Sequence, residues 1–324
     1  MRPQADDARW LAAAAALAER ARPLASPNPG VGALIVKNGV VVGRGWTMAR
    51  GRPHAEAVAL QAAGEAAKEA TLYVTLEPCA HRSQRGPACA DLVSAAGLAR
   101  VVIGMRDPDP RTGGVGLTRL KEAGIRATSL DWDPARLGLS GHTTSLAKGR
   151  PHVTLKLAMS LDGCIATSGG ESQWITGEAA RAHGHRERAR ADAILVGGGT
   201  LRADQPRLDV RLQGLENRSP ARVALTSGAV PEGWLAIRAP EDIAQLEGVR
   251  YLIVEGGAQT ASAFLKSALV DRLIVYRAPV LLGGGTAAIG DIGHETLEKA
   301  FSAELRLRER RQLGSDTLEV YQRG

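Results

Sequence analysis

Three potential zinc ligands and one carboxylate stand close together in the first half of the chain: His54-Ala55-Glu56, then Pro78-Cys79, then Cys89. A catalytic zinc takes three protein ligands and keeps a fourth position for water, whose pKa it lowers to about 7, so that hydroxide is available near neutrality. His54, Cys79 and Cys89 fill the three ligand positions. Glu56, two residues beyond the histidine, is placed to take a proton from that water and hand it to a departing amine. The set follows the H-x-E and P-C signature of zinc deaminases, with nine residues instead of two between the cysteines. A second arrangement uses the same region: His81, two positions after Cys79, completes a closed Cys2His2 structural site. That arrangement gives Glu56 no role, so a hydrolytic site is the expectation.

The elements that must position these residues are legible around them. An Ala-rich helix is expected at 54–65, a strand at 71–76 running into Glu77-Pro78-Cys79, and a helix at 88–97 opened by Cys89. The ligands therefore gather where two helix N-termini approach a strand end, and the partial positive charge there favours thiolate and hydroxide. Further expected elements are a helix at 6–22, strands at 31–37 and 40–46, a strand at 100–105, a helix at 115–124 and a strand at 125–130. Alternation of this kind predicts an α/β sandwich, and Asn38-Gly39 predicts a hairpin between the first two strands. The pattern loosens after Asp131, and Gly149-Arg150-Pro151 reads as a boundary between domains 1–148 and 149–324.

The second half restarts with an expected strand at 152–159 and then repeats one theme. The apolar runs 193–196, 251–254 and 273–282 lead into Gly197-Gly-Gly-Thr200, Glu255-Gly-Gly-Ala258 and Gly283-Gly-Gly-Thr286. Glycines after a strand let backbone amides approach a phosphate, and a following helix N-terminus adds a favourable field, so this half is a candidate dinucleotide site. Each loop alone reads equally as an ordinary strand-to-helix turn. No G-x-G-x-x-G follows a first strand, which disfavours a Rossmann domain.

A net charge of +7 over 324 residues suits an anionic partner. The basic residues are scattered and aromatics make up only 3%, which counts against a nucleic-acid substrate. Three cysteines, two of them needed for metal, build no disulfide framework and suit a reducing compartment; Cys164 reads as a core residue. Asp6 and Asp7 precede the apolar segment 11–18 where a signal peptide needs positive charge, and no stretch reaches the roughly 20 apolar residues of a membrane span. A cytoplasmic protein is expected.

Longer strings carry a resemblance. Ser26-Pro-Asn-Pro-Gly-Val-Gly32, His54-Ala-Glu56 and Thr75-Leu-Glu-Pro-Cys-Ala-His81 lie in the first half. Lys156-Leu-Ala-Met-Ser-Leu-Asp-Gly163, Gly170-Glu-Ser-Gln-Trp-Ile-Thr176, Gly199-Thr-Leu-Arg-Ala-Asp204 and Val254-Glu-Gly-Gly257 lie in the second. Over almost its whole length the chain resembles the bifunctional riboflavin-biosynthesis deaminase-reductase family. The resemblance implies an α/β fold with two parts, a cytidine-deaminase-like α/β/α domain followed by a dihydrofolate-reductase-like α/β domain. It implies a zinc-dependent deamination of a phosphoribosylated diaminopyrimidine, then NADPH-dependent reduction of the ribosyl group to ribityl. Zn2+ on His54, Cys79 and Cys89, with Glu56 as the catalytic proton shuttle, agrees with the reading of the residues. Asn28, His81 and a basic residue between the cysteines, Arg85 in preference to Arg82, are implied to meet the deaminase substrate. In the reductase half, Ala158, Trp174, Thr200, Asp204 and Ser227, with Gly257, Ala258, Gln259, Thr260, Ala261, Ser262 and Ala263, match positions that contact NADPH. Ser172, Arg188, Leu208, Arg211 and Glu255 match positions that contact substrate; without the resemblance both arginines read as solvated surface charge.

Two departures stand out. The family reads C-x-H-x-G-[RK]-T-P-P-C across the second and third ligands, and the segment from Cys79 to Cys89 is one residue longer. The family also tends to carry a histidine seven residues before the zinc histidine, where this chain has Thr47. The expected partner is a small molecule, with no nucleic acid and no membrane, in a homo-oligomer for which a dimer is favoured. Two competing functions are a tRNA or nucleoside deaminase with an unrelated appended domain, and a zinc-stabilised nucleic-acid-binding protein. The long second-half matches argue against the first, and the scarcity of aromatics together with Glu56 argues against the second.

Overall fold

The computed structural model describes residues 6–81, 86–302 and 305–323, and the chain divides into two compact units, Met1–Gly149 and Arg150–Gly324. In the first unit the elements run α1 (Asp7–Ala18), β1 (Gly32–Lys37), β2 (Val40–Trp46), α2 (Ala55–Ala63), β3 (Thr71–Leu76), α3 (Cys89–Ala95), β4 (Arg100–Met105), α4 (Val115–Glu122), β5 (Arg126–Ser129), α5 (Asp133–Gly138) and α6 (Ser140–Lys148). The sheet order is β2-β1-β3-β4-β5, antiparallel through β3 and parallel beyond it. Asn38 and Gly39 both take positive φ, 51° and 76°, as a two-residue hairpin that follows strand twist requires.

Side chains alternate across this sheet with the two-residue period of a strand. Ala33, Ile35, Leu72 and Val74 face Ala55, Ala59, Val93 and Leu120 of α2, α3 and α4, while Leu34, Val36 and Tyr73 face Leu11 and Ala14 of α1. The helix α2 lies so close on β2 that a Cβ on Gly43 or Gly45 would fall 2.3 or 2.4 Å from a helix carbonyl oxygen. The first turn of α1 is tied to β4 by a buried fork in which both terminal nitrogens of Arg100 donate to Asp7 at 2.8 Å. Residues 131–149, where the sequence pattern loosens, form α5 and α6. These helices are six and nine residues long and bury little apolar surface, so their period is weak in the sequence.

The second unit runs β6 (His152–Met159), β7 (Cys164–Ala166), α7 (Glu178–Arg188), β8 (Ala193–Gly197), α8 (Gly198–Asp204), β9 (Ala221–Leu225), β10 (Trp234–Ile237), β11 (Tyr251–Val254), α9 (Ala258–Lys266), β12 (Arg272–Arg277), β13 (Thr286–Ala287), α10 (Leu297–Ser302), β14 (Leu305–Leu313) and β15 (Asp316–Arg323). Its main sheet has the order β10-β9-β8-β11-β6-β12-β15-β14; the six strands from β10 to β12 are parallel and the last two pairings antiparallel. The central parallel strands β8 and β11 are buried along their whole length, on both faces. Ala261 and Phe264 of α9 pack on Leu155 and Val254, and on the opposite face Ala180 of α7 packs on Ile274 and Tyr276.

One expectation changes here. The strand expected at 273–282 ends at Arg277, and the glycine run after it does not lead into a helix. The amides of Leu282 and Gly283 donate to the Asp162 carboxylate at 3.2 and 2.8 Å, so the start of this run is clamped to the Ser160-Leu-Asp-Gly163 turn. The other two runs do open helices, α8 and α9, at the carboxyl ends of β8 and β11.

Candidate active sites

The structure brings the ligand atoms of His54, Cys79 and Cys89 within 4.8 Å of one another. His54 is the residue before α2, Cys79 follows β3 through Glu77-Pro78, and Cys89 is the first residue of α3. The imidazole Nδ1 of His54 lies 3.2 Å from Cys89 Sγ and 3.6 Å from Cys79 Sγ. Tetrahedral zinc with N and S bonds of about 2.0 and 2.3 Å requires ligand separations of about 3.5–3.8 Å, so the donor set fits zinc with little adjustment. The backbone N–H of Cys89 donates to Cys79 Sγ at 3.4 Å. The hydrogen bond from the Cys89 thiol, with His54 beside it, draws Cys79 down to about 4, well below an ordinary thiol. Cys89 is pushed up by that same shared hydrogen bond and by burial. A cation between them makes both sulfurs thiolates.

Glu56 sits in the first turn of α2 with 3% of its surface exposed, and burial raises its carboxyl to about 7. A carboxyl near neutrality can both accept and return a proton. Glu77 is equally buried but serves the backbone: it accepts from the N–H groups of Asp107, Gly114 and Leu117 at 3.2, 3.0 and 2.8 Å. It therefore fixes the loop after β4 and the start of α4 against the cysteine segment.

His54, Glu56 and Cys79 line a cavity of about 650 Å3, together with Asn28 and His81. Asn28 reaches the carbonyl of Arg50 at 3.5 Å and crowds Gly51, where an added Cβ would fall 1.9 Å from Asn28 Nδ2. Arg82 and Arg85 lie outside the described residues. Thr47 lines the cavity as well, its hydroxyl accepting from Val31 N–H at 2.9 Å. Sequence reasoning missed Arg52, Asp107, Asp109, Arg111, Thr112 and His142 on the same wall. The available signal was the polar Asp107-Pro-Asp-Pro turn at the carboxyl end of a parallel strand, where α/β folds put their sites.

A second cavity of about 450 Å3 opens in the other unit, lined by Trp174, Arg188, Asp204, Leu208, Arg211 and Glu255 among the expected residues. Glu255 forms its floor. Arg188 Nε and Nη2 donate to the two Glu255 oxygens at 2.8 and 2.9 Å, Arg188 Nη1 donates to Asp209 O at 3.0 Å, and Lys156 Nζ stands 3.7 Å from Glu255. Burial alone would raise Glu255, but Lys156 and Arg188 outweigh it and hold the carboxylate at about 2. Arg211 is different: its side chain is 53% exposed and stands 3.5 Å from the Asp209 carboxylate. Trp174 is exposed, with Arg181 over its ring at 5.1 Å. Tyr276, also lining the cavity, meets His183 Nδ1 through its hydroxyl at 2.6 Å.

The remaining expected residues do not line this cavity. Thr200 in α8 and Gly257 through Ala263 at the start of α9 gather at the carboxyl ends of β8 and β11, and the exposed Ser227 follows the neighbouring β9. A Cβ on Gly197 would meet Thr260 Oγ1 at 2.2 Å, so the two loops interlock, whereas Gly199 faces open space. Ala158 pairs with Tyr276 across β6 and β12, and Ser172 is exposed. Lys156 and Tyr276 lay unassigned in the sequence, though Lys156 opens one of its longest strings.

Residues 4–105 match the cytidine and deoxycytidylate deaminase zinc-binding region, and residues 151–234 and 238–318 match the RibD C-terminal domain. The riboflavin biosynthesis protein RibD of Escherichia coli is 39% identical over 96% of this chain and 97% of its own. The structure of Acinetobacter baumannii RibD superposes with a TM-score of 0.85 at 34% identity, covering 98% of this chain and 99% of that one. A Thermotoga maritima protein described as a diaminohydroxyphosphoribosylaminopyrimidine deaminase/5-amino-6-(5-phosphoribosylamino)uracil reductase gives the same TM-score at 29% identity, with coverage of 98% and 99%.

Proposed function

The chain belongs to the RibD family of riboflavin-biosynthesis proteins, a zinc-binding deaminase domain followed by a reductase domain, and from that premise we propose which residues carry each reaction. It is a bifunctional enzyme, a zinc-dependent hydrolase and an NADPH-dependent oxidoreductase. The deaminase belongs to 1–148 and the reductase to 149–324. The substrates are those named for the Thermotoga relative, the phosphoribosylated diaminopyrimidine and the aminouracil it becomes.

In the first site His54 Nδ1 and the sulfurs of Cys79 and Cys89 hold the zinc. Bound there, zinc acts as a Lewis acid that makes water nucleophilic at neutral pH. Glu56 takes the water proton and returns it to the exocyclic nitrogen, so that one C–N bond breaks, ammonia leaves and a ring carbonyl remains. Asn28 orients the ring, while His81 and Arg85 meet the phosphoribosyl group. The observation that carries this reading is the buried acid/base Glu56 in the same cavity as the three-donor cluster.

In the second site NADPH, when bound, would supply the hydride for the first carbon of the sugar. The glycine-started helices α8 and α9, with Ser227, hold the cofactor, and Trp174 and Asp204 extend that surface into the cavity. Glu255, kept ionised by Lys156 and Arg188, accepts hydrogen bonds from sugar hydroxyls, and the exposed Arg211 meets the phosphate. The enzyme acts on small molecules without nucleic acid in the cytoplasm; no described helix is long and apolar enough to cross a membrane. A homodimer suits the edge strand β14, exposed along almost its whole length. An unrelated appended domain is not favoured, because the second half matches the RibD C-terminal domain almost throughout.

Incubating the purified protein with the phosphoribosyl pyrimidine, with and without NADPH, tests this. Mass analysis should show a one-unit gain for amine-to-carbonyl exchange in both mixtures and a further two-unit gain only with NADPH. A protein that deaminates free nucleosides and ignores this substrate would overturn it.

A further inference from the structure

His185 belongs to none of the strings that mark the second half. It lies on α7 three residues before Arg188, and its ring lines the reductase cavity with Arg188, Asp209 and Arg211. One ring nitrogen is taken up by the backbone of the facing loop. Nδ1 lies 3.2 Å from the carbonyl oxygen of Asp209 and 3.3 Å from the amide nitrogen of Arg211. Nε2 makes no hydrogen bond among the described residues and is not one of their shielded polar atoms, so it opens on the cavity.

The two backbone partners of Nδ1 suit opposite forms of the ring. A neutral imidazole accepts at Nδ1 from the Arg211 N–H and carries its proton on Nε2. An imidazolium instead donates from Nδ1 to the Asp209 carbonyl and from Nε2 into the cavity. The carbonyl has room for that bond, since it accepts from Arg188 Nη1 at 3.0 Å and keeps a second lone pair. The ring can therefore change charge where it stands, without turning.

The charges around it come from its own helix, the facing loop and the sheet. Arg188 is a cation on α7, and Arg211 is one on the loop. Glu255, beyond β11, is committed to Arg188, with Lys156 of β6 3.7 Å away. The Asp209 carboxylate is 3.5 Å from Arg211 and 2.7 Å from Arg207. Within the protein alone, burial first, then Arg188 and Arg211, hold the imidazole below its ordinary value. A dianion between Arg211 and Nε2 reverses this balance, because it offsets the arginine charges and favours the charged ring. A phosphate monoester, with a charge near −2 at neutral pH and three acceptor oxygens, can serve Arg211 and Nε2 together.

We propose that His185 binds the phosphate of the reductase substrate through Nε2 and takes a proton from solvent as it does so, becoming a cation beside Arg211 only when the substrate is bound. The proposal rests on the reductase reading above and adds a proton-linked specificity residue to it.

The test uses the full-length zinc-loaded enzyme and the phosphoribosylaminouracil without NADPH, so that binding occurs without reduction. Calorimetric titrations near pH 7 in buffers of different ionisation enthalpy count the protons taken up. Wild type should take up roughly half a proton or more per bound substrate beyond what His185→Gln takes up, since glutamine offers a donor that cannot titrate. In the reductase assay with NADPH, His185→Gln should raise KM for the phosphorylated substrate about fivefold near pH 6.5, the difference between a charge-assisted and a neutral hydrogen bond. That difference should close toward about pH 8.5, where the histidine loses its charge. On the compound lacking the phosphate, the two proteins should match in proton uptake and in KM. Equal proton uptake on the phosphorylated substrate, or a KM loss that is the same at both pH values or on both compounds, overturns the proposal and leaves the reductase assignment intact. A wild-type enzyme that reduces neither compound overturns both.

Discussion

Arg188 and Arg211 should respond to alanine in opposite ways, although both line the reductase cavity. Arg188 is 16% exposed and makes a two-pronged bond to Glu255, itself 10% exposed. Arg188→Ala leaves a buried carboxylate with Lys156 at 3.7 Å as its nearest remaining cation among the described residues. Breaking a buried pair from one side costs about 3–5 kcal/mol, and with Lys156 remaining the lower end applies, about 3 kcal/mol. At about 2–4 °C per kcal/mol for a unit of this size, the second unit should melt about 6–12 °C lower. Arg211→Ala removes a 53% exposed side chain whose ionic contact is long, so stability should change by no more than about 0.5 kcal/mol. Its loss should appear in binding instead: a charge-assisted contact to phosphate is worth about 1.5–3 kcal/mol, or about tenfold to a hundredfold in affinity. Calorimetric melting and reduction rates on pre-deaminated substrate, with and without its phosphate, separate the two. If Arg188→Ala melts with the wild type, or Arg211→Ala loses as much on the dephosphorylated compound as on the phosphorylated one, the roles drawn from the geometry are wrong.

Glu56→Gln should keep about one zinc per chain while lowering deaminase turnover by about 10²–10⁴, since the residue moves a proton and holds no metal; zinc analysis showing an empty variant would refute this. The second unit should also lose stability in mild acid. Burial holds His183 at about 4, below the 6.5 of an exposed imidazole, so between these values the unfolded chain binds the extra proton and the folded one does not. Stability complete above pH 6.5 should therefore fall by about 3 kcal/mol as pH drops to 4. Glu187, Glu255 and Asp271, each held at about 2, add further loss below about pH 4.5. Guanidinium denaturation at pH 7 and pH 4 measures the first step, and a His183→Phe chain that keeps the full pH dependence would count against it.

The candidate site in the first unit was legible because metal chemistry restricts residue type. Few residues can ligate zinc, and the helices and the strand that carry His54, Cys79 and Cys89 have strong periods of their own. Even with nine residues between the cysteines, Cys89 opens α3 and its sulfur reaches His54. Glu77 was harder to interpret, because its work is to accept from backbone groups 30 to 40 residues away, and nothing in the local pattern distinguishes that from solvated charge. The third glycine run shows the same limit: its composition equals that of the first, and Asp162, over 100 residues earlier, commits the amides of Leu282 and Gly283 to a clamp.

Arg188 and Arg211 carry the argument furthest. In sequence they are two arginines with the same capacity for phosphate, and the resemblance assigns them one role. What separates them is Glu255, 67 residues beyond Arg188, which a parallel strand between β8 and β6 delivers to the floor of the cavity. A buried carboxylate needs a cation to remain charged, and the arginine that meets this need has most of its donors committed before substrate arrives. Arg211, left at the rim with its guanidinium half in solvent, retains the freedom to close on an anion, so the division of labour between two identical side chains follows from which of them a distant carboxylate reaches.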